Sequence, residues 1–181
     1  REWLPSSGTM TNSGARSPMR DIVINTGPII ALVAATESLE WLPGLYGRIF
    51  IPFEVCQEVE AGGLGNPETL ALVGIKDLIV IGREKADVPL ALLRELDLGE
   101  ASVIYTATIN EIDTVVIDEK AGRRVARIHG LRVTGSLGIL LKAKQLGIIK
   151  NLGDCITRMS EHGIWISADL IKNSLHQAGE A

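Results

Sequence analysis

Cysteine, aromatic residues and long apolar runs are all scarce in this chain of 181 residues. Its two cysteines, Cys56 and Cys155, stand far apart and in no paired motif. They can build neither a disulfide framework nor a zinc centre, and read as buried or inert thiols in a reducing cytoplasm. With three tryptophans, two tyrosines and two phenylalanines, the interior must be made of Ile, Leu, Val and Ala, which suits buried parallel strands covered by helices. Trp41, Tyr46, Tyr105 and Trp165 are not clustered, so stacking on nucleic-acid bases is poorly supplied. No stretch is long and apolar enough to span a bilayer. Excess positive charge is lacking too: 18 Lys and Arg face 22 Asp and Glu, for a net charge of −4. That excludes a surface coated to grip nucleic acid without preference, though not a local basic patch.

What is present is the profile of an ordinary globular domain, 46% hydrophobic and 22% charged, at a length that suits one core. Residues 1–20, rich in Ser, Gly, Pro and Thr, read as a disordered leader or an expression remnant, and 21–181 as the domain. Short apolar runs at 21–24, 48–51, 78–81, 114–117 and 131–134 predict strands. Helical patterns at 29–35, 53–61, 89–96, 99–110, 119–129 and 136–146 alternate with them. Thr26 or Gly27 is placed to cap the first helix with Pro28 in its first turn, Gly62-Gly63 to stop the second, and Gly130 to end the helix at 119–129. The tail at 152–180 reads as a helix, a short extended piece at 163–166 and a last helix. This alternation predicts an α/β protein with a parallel sheet of about five strands and helices on both faces.

In such sheets ligands bind beyond the carboxyl ends of the strands. Asn25 follows the first strand there, Asp118 and Glu119 the fourth, and Thr134, Gly135 and Ser136 the fifth, so a polar ring with carboxylates is expected at one end. Glu100 shares a helical stripe with Leu96, Val103, Ile104 and Ala107. A carboxylate so placed needs either amides of its own first turn or a metal. Glu58, beside Val55 and Val59, reads as a solvated helix position. Asp118 could instead cap the following helix, and Asn25 could be a turn residue.

Taken together, these segments resemble the PIN domains. Val23-Ile24-Asn25-Thr26-Gly27-Pro28-Ile29-Ile30 is similar to their first strand and turn. Pro52-Phe53-Glu54-Val55-Cys56-Gln57-Glu58-Val59 is similar to the second motif, Leu96-Asp97-Leu98-Gly99-Glu100-Ala101 to the third, and Val116-Ile117-Asp118-Glu119 with Arg123-Arg124-Val125-Ala126 to the fourth. Val133-Thr134-Gly135-Ser136-Leu137-Gly138 and the closing helix extend the likeness to a prokaryotic subfamily related to the VapC toxins. The resemblance implies a PIN-like three-layer α/β/α fold and a ribonuclease whose Glu58, Glu100 and Asp118 are catalytic. Those three, with Asn25 and Glu119 as a further candidate, would hold Mg²⁺ or Mn²⁺, hard ions that prefer oxygen ligands. It also implies an RNA substrate, an antitoxin-like protein partner and a homodimer.

Asn25 departs from the pattern, because the wider family usually carries aspartate there. An amide oxygen can ligate a metal but brings no charge. Three carboxylates against two divalent ions favour one tight ion, with a second awaiting RNA phosphate, unless Glu119 or Asp97 compensates. Arg123, Arg124 and Ser136 are candidate RNA contacts, and Lys120, Arg127, Arg132, Lys142 and Lys144 extend a basic rim or a solvated face. Three rivals stand beside this reading. One is a catalytically silent module that binds a protein or RNA. Another is phosphate binding by Gly135-Ser136-Leu137-Gly138, which lacks the full glycine spacing and a Walker lysine. A Ser-His-Asp hydrolase lacks a nucleophile elbow, and His129, His162 and His176 fall outside the expected ring. The last helix, with Leu170, Ile171 and Leu175, is set to pack on the core or on a partner.

Overall fold

The computed structural model describes residues 19–63 and 65–180; most of the expected leader, residues 1–18, lies outside them. Five strands form one parallel sheet: β1 (Ile22–Ile24), β2 (Ile49–Ile51), β3 (Ile79–Ile81), β4 (Thr114–Val116) and β5 (Arg132–Thr134). Their order is β3-β2-β1-β4-β5. Val23 pairs with Phe50 on one side and with Val115 on the other. The central strands β1, β2 and β4 are buried throughout, which is why they show no polar alternation.

Eight of the helices matter to the site or the core. They are α1 (Thr26–Thr36), α2 (Phe53–Ala61), α3 (Pro67–Gly74), α5 (Leu98–Ile109), α6 (Lys120–Ile128), α7 (Ser136–Gln145), α8 (Leu152–Glu161) and α9 (Ala168–Ala178), with a single turn, α4 (Leu90–Leu93), before α5. α1 packs against α7, α8 and α3, while α5 lies on β1 and β4 beside α2 and α6. The result is the three-layer α/β/α sandwich. α1 buries Pro28, Ile29 and every residue from Ala31 to Ala35; a helix apolar nearly all round belongs in a core. Its carboxyl end is met by Arg158 of α8, whose Nε donates to the Ala35 carbonyl at 2.6 Å. α6 shows the opposite pattern, with Gly122, Val125 and Ala126 buried and Lys120, Arg124 and Arg127 exposed.

Several element ends differ from expectation for identifiable reasons. Asp21 and Arg48 precede their strands because they are engaged with each other: Asp21 accepts from the Arg48 amide at 2.7 Å and from its guanidinium at 2.6 Å. Asn25, not Thr26 or Gly27, is the residue before α1. α3 was not anticipated, although Asn66 caps it by accepting from Thr69 N at 2.6 Å and Pro67 opens it. Gly130 ends α6 as expected, with φ of 76°. Of the tail, Ile171 and Leu175 pack on the core, while Leu170 is exposed. Cys155 is buried and Cys56 half-buried; burial, then the charges of Glu60 and Glu54, pushes the Cys56 thiol up to about 12. Among the described residues no helix is long and apolar enough to cross a membrane.

Candidate metal centre

The sheet order makes the site. From β1 the chain moves outward to β2 and β3, then returns to β4 on the other side of β1. The crevice beyond the carboxyl ends of β1 and β4 is therefore the switch point of the sheet, where α/β folds bind ligands. Asn25 leaves β1 there, its amide donating to the Val116 carbonyl of β4 at 3.0 Å. Its side chain is buried, and Oδ1 has no hydrogen-bond partner among the described residues. It does not cap α1 with its side chain, so a turn role leaves the amide oxygen unexplained.

The carboxylates come from different elements, and each is seated against a glycine. Glu58 of α2 is exposed, yet it is not idle: Thr26 Oγ1 donates to its Oε2. Glu58 Oε2 also stands 2.7 Å from where a Cβ on Gly99 would be. Glu100, next to Gly99, is 5% exposed and accepts from Gly122 N of α6 at 3.2 Å. A Cβ on Gly122 would stand 2.6 Å from that same oxygen. Glu100 thus does not cap its own helix; Asp97 does, accepting from Glu100 N at 2.8 Å. Burial, then the charges of Asp97 and Glu119, pushes the Glu100 carboxyl above its ordinary range, against the lowering effect of the amide hydrogen bonds.

Asp118 lies against Gly135 and accepts from Ser136 N at 2.8 Å. Asp118 therefore holds the amino end of α7 rather than capping α6, whose N-cap is Glu119. That bond places a carboxylate where the rival reading put a phosphate. Ser136 itself is buried, so its contribution is the amide that seats Asp118. Glu119 reaches back to the turn after β1, with Oε1 2.8 Å from the Cβ position of Gly27. The sequence places Thr26 and Gly27 as caps and Gly135 in the polar ring, but the seating of the acids by Thr26, Gly27, Gly99, Gly122 and Gly135 has only one local signal, small residues next to or between the acidic motifs. The sequence does not single out Glu54, buried in the first turn of α2, whose Oε1 accepts from Ala86 N at 2.7 Å and fixes the segment before α4.

The expected basic rim is divided. Arg123 stays at the ring: Nη1 donates to the Ile117 carbonyl at 2.8 Å and lies 3.1 Å from the Cβ position of Gly135, on which Asp118 also rests. Burial, then Arg127, lowers the Arg123 pKa, and Asp118 works against them. Arg124 pairs with Glu95 at 2.8 Å and Arg132 with Asp113 at 3.5 Å. Lys142 donates to the Leu45 carbonyl at 2.8 Å, and Lys144 pairs with Glu180 at 2.8 Å. Lys120 and Arg127 are exposed on α6. A cavity lined by Arg20, Leu45, Lys142, Leu146 and Ile148 touches none of the acidic residues.

Among the described residues, no three His, Cys, Asp or Glu side chains are drawn together closely enough to cage an ion. Each of Glu58, Glu100 and Asp118 is instead tethered through one oxygen to a hydroxyl or amide. The donor set is all oxygen, which suits a hard divalent cation and no softer metal. Asn25 Oδ1, buried and without a partner among the described residues, is the kind of atom such an ion would satisfy.

A family model for the PIN domain matches residues 21–180. The chain belongs to the PIN-domain family. PIN domains are generally nucleases and generally use divalent metal ions, so the class of function is that of a nuclease. No curated protein matches the chain.

Proposed function

We propose that the protein is a divalent-metal-dependent endoribonuclease of toxin-like type, acting in the cytoplasm with Mg²⁺ or Mn²⁺ at the switch point of its sheet. What supports this reading is that Asn25 Oδ1, at the carboxyl end of the central strand, is buried with no hydrogen-bond partner among the described residues, while Glu58 is tied to Thr26 of the next turn and Glu100 and Asp118 are each held by one amide. Asn25 and the three carboxylates would hold the ion. When bound, it supplies positive charge to polarise a phosphate and to make a water more acidic. The chain's own part is orientation. Thr26 and Gly99 aim Glu58, Gly122 aims Glu100, and the Ser136 amide aims Asp118.

Arg123, the cation beside Asp118, is suited to a phosphate oxygen of the substrate; Arg124, paired with Glu95, stands further out on the same helix. Lys120 and Arg127 are free to add backbone contacts without base readout. RNA as substrate, an antitoxin-like inhibitor and a homodimer follow from the resemblance to the toxin-related subfamily. A second reading, a silent module that binds a partner, is favoured by the missing charge at Asn25.

The test is Mn²⁺-dependent cleavage of a panel of structured and single-stranded RNAs. Wild type should cut at least one of them, and Asp118→Asn and Glu100→Gln should each lose about a hundredfold or more. Equal cleavage by wild type and both variants would assign the activity to a contaminant and overturn the reading.

A further inference from the structure

The charge missing at Asn25 has one structural candidate to replace it. Asp97 and Glu119 are the two further carboxylates whose charges act on Glu100. Asp97 turns its Oδ1 to its own helix, capping α5 by accepting from Glu100 N at 2.8 Å. Glu119 makes no such bond. It sits at the N-cap of α6 but makes no capping bond with its side chain. Among the described residues its carboxylate accepts no hydrogen bond and joins no ion pair.

Its direction is specific. Oε1 lies 2.8 Å and Oε2 3.8 Å from the point a Cβ on Gly27 would occupy. Gly27 is two residues past Asn25 in the same turn, so Glu119 crosses from the connection after β4 to the turn after β1. The space it enters exists because residue 27 has no side chain. On that turn lies Asn25 Oδ1, buried and without a hydrogen-bond partner among the described residues. A free carboxylate and an unsatisfied amide oxygen thus flank one turn, and neither oxygen donates a hydrogen to satisfy the other.

We propose that Glu119 supplies the negative charge that Asn25 lacks, so that the two act as a split ligand pair for a divalent cation. This rests on the metal-nuclease reading given above. With Glu119 the carboxylates assigned to the site number four, Glu58, Glu100, Asp118 and Glu119, the count that an aspartate at position 25 would have given. Gly27 serves the pair by leaving room.

The experiment is calorimetric titration of Mn²⁺ into wild type, Glu119→Gln, Asn25→Asp and the double variant, each checked for folding by its thermal transition. Glu119 is exposed, so its variant should fold. Glu119→Gln should bind Mn²⁺ about tenfold or more weakly. Adding Asn25→Asp to Glu119→Gln should restore affinity to near the wild-type value, because the charge returns to the same turn. Wild-type affinity in Glu119→Gln, or a loss that Asn25→Asp does not rescue, overturns the split pair and leaves the metal site standing. Absence of Mn²⁺ binding in folded wild type overturns both.

Discussion

Thr26, in the first turn of α1, donates its hydroxyl to the carboxylate of Glu58 on α2, 32 positions later in the chain. The bond ties the turn leaving the central strand to the second acidic motif, while Gly99 leaves the space in which that carboxylate rests. Thr26→Val should therefore lower stability by about 0.5–1.5 kcal/mol and weaken Mn²⁺ binding. Gly99→Ala should weaken binding by displacing the same carboxylate, with the fold retained. Denaturant melts and calorimetry on the two variants separate these effects. Unchanged affinity in both would show that the seat of Glu58 is irrelevant to the ion.

Glu100 gives a pH signature. Its folded carboxyl is pushed up by burial first and then by Asp97 and Glu119, so the folded state holds the proton more tightly than the unfolded chain. At pH below the unfolded value of about 4.3 both states are protonated. As pH rises through that value towards the raised folded one, the unfolded chain gains by ionising first and stability is lost. Metal-free wild type should therefore lose stability relative to Glu100→Gln as pH rises from about 4 to 7. Saturating Mn²⁺ should reverse the order, since a ligand of the native state adds stability only where it binds. Urea melts across this range decide it, and a gap that is flat with pH would contradict the stated cause.

Glu180 gives the opposite sign, far from the acidic ring. Burial pushes its carboxyl up, but the hydrogen bond from Lys144 and those from the amides of Leu152 and Gly153 pull it down by more. The two amide bonds are each 2.8 Å long and cap the start of α8. The depressed pKa means that this stabilisation is present above the unfolded value and is lost as pH falls through the folded one. Glu180→Gln should cost about 0.5–2 kcal/mol near pH 7, the usual size of a cap. The difference from wild type should vanish at low pH, which chemical denaturation at pH 7 and at about pH 3 measures.

The fold was legible because its signals are local. Ile22–Ile24, Ile49–Ile51 and Thr114–Val116 are runs of β-branched and aromatic residues, and α2 starts and stops where Pro52 and Gly62-Gly63 say it should. Strand ends were less legible, because Asp21 and Arg48 choose each other across 27 positions and no local pattern shows that. Helix α3 was legible in Asn66-Pro67 yet overlooked. At the site, the resemblance named the acids, but their partners depend on long-range geometry. Whether Asp118 caps its own helix or takes an amide from α7 cannot be decided from either segment alone. Nor does the text of the chain show that Asp97 caps its own helix while Glu119 reaches Gly27.

The central claim is that these acids form a divalent-metal site, and titration of Mn²⁺ into wild type and Asp118→Asn tests it most directly. The substitution keeps an oxygen able to accept the Ser136 amide, so it removes charge without removing the tether. The account predicts saturable binding in wild type and a loss of about tenfold or more in Asp118→Asn, with both proteins folded. Equal binding in the two proteins, or none in folded wild type, would contradict it.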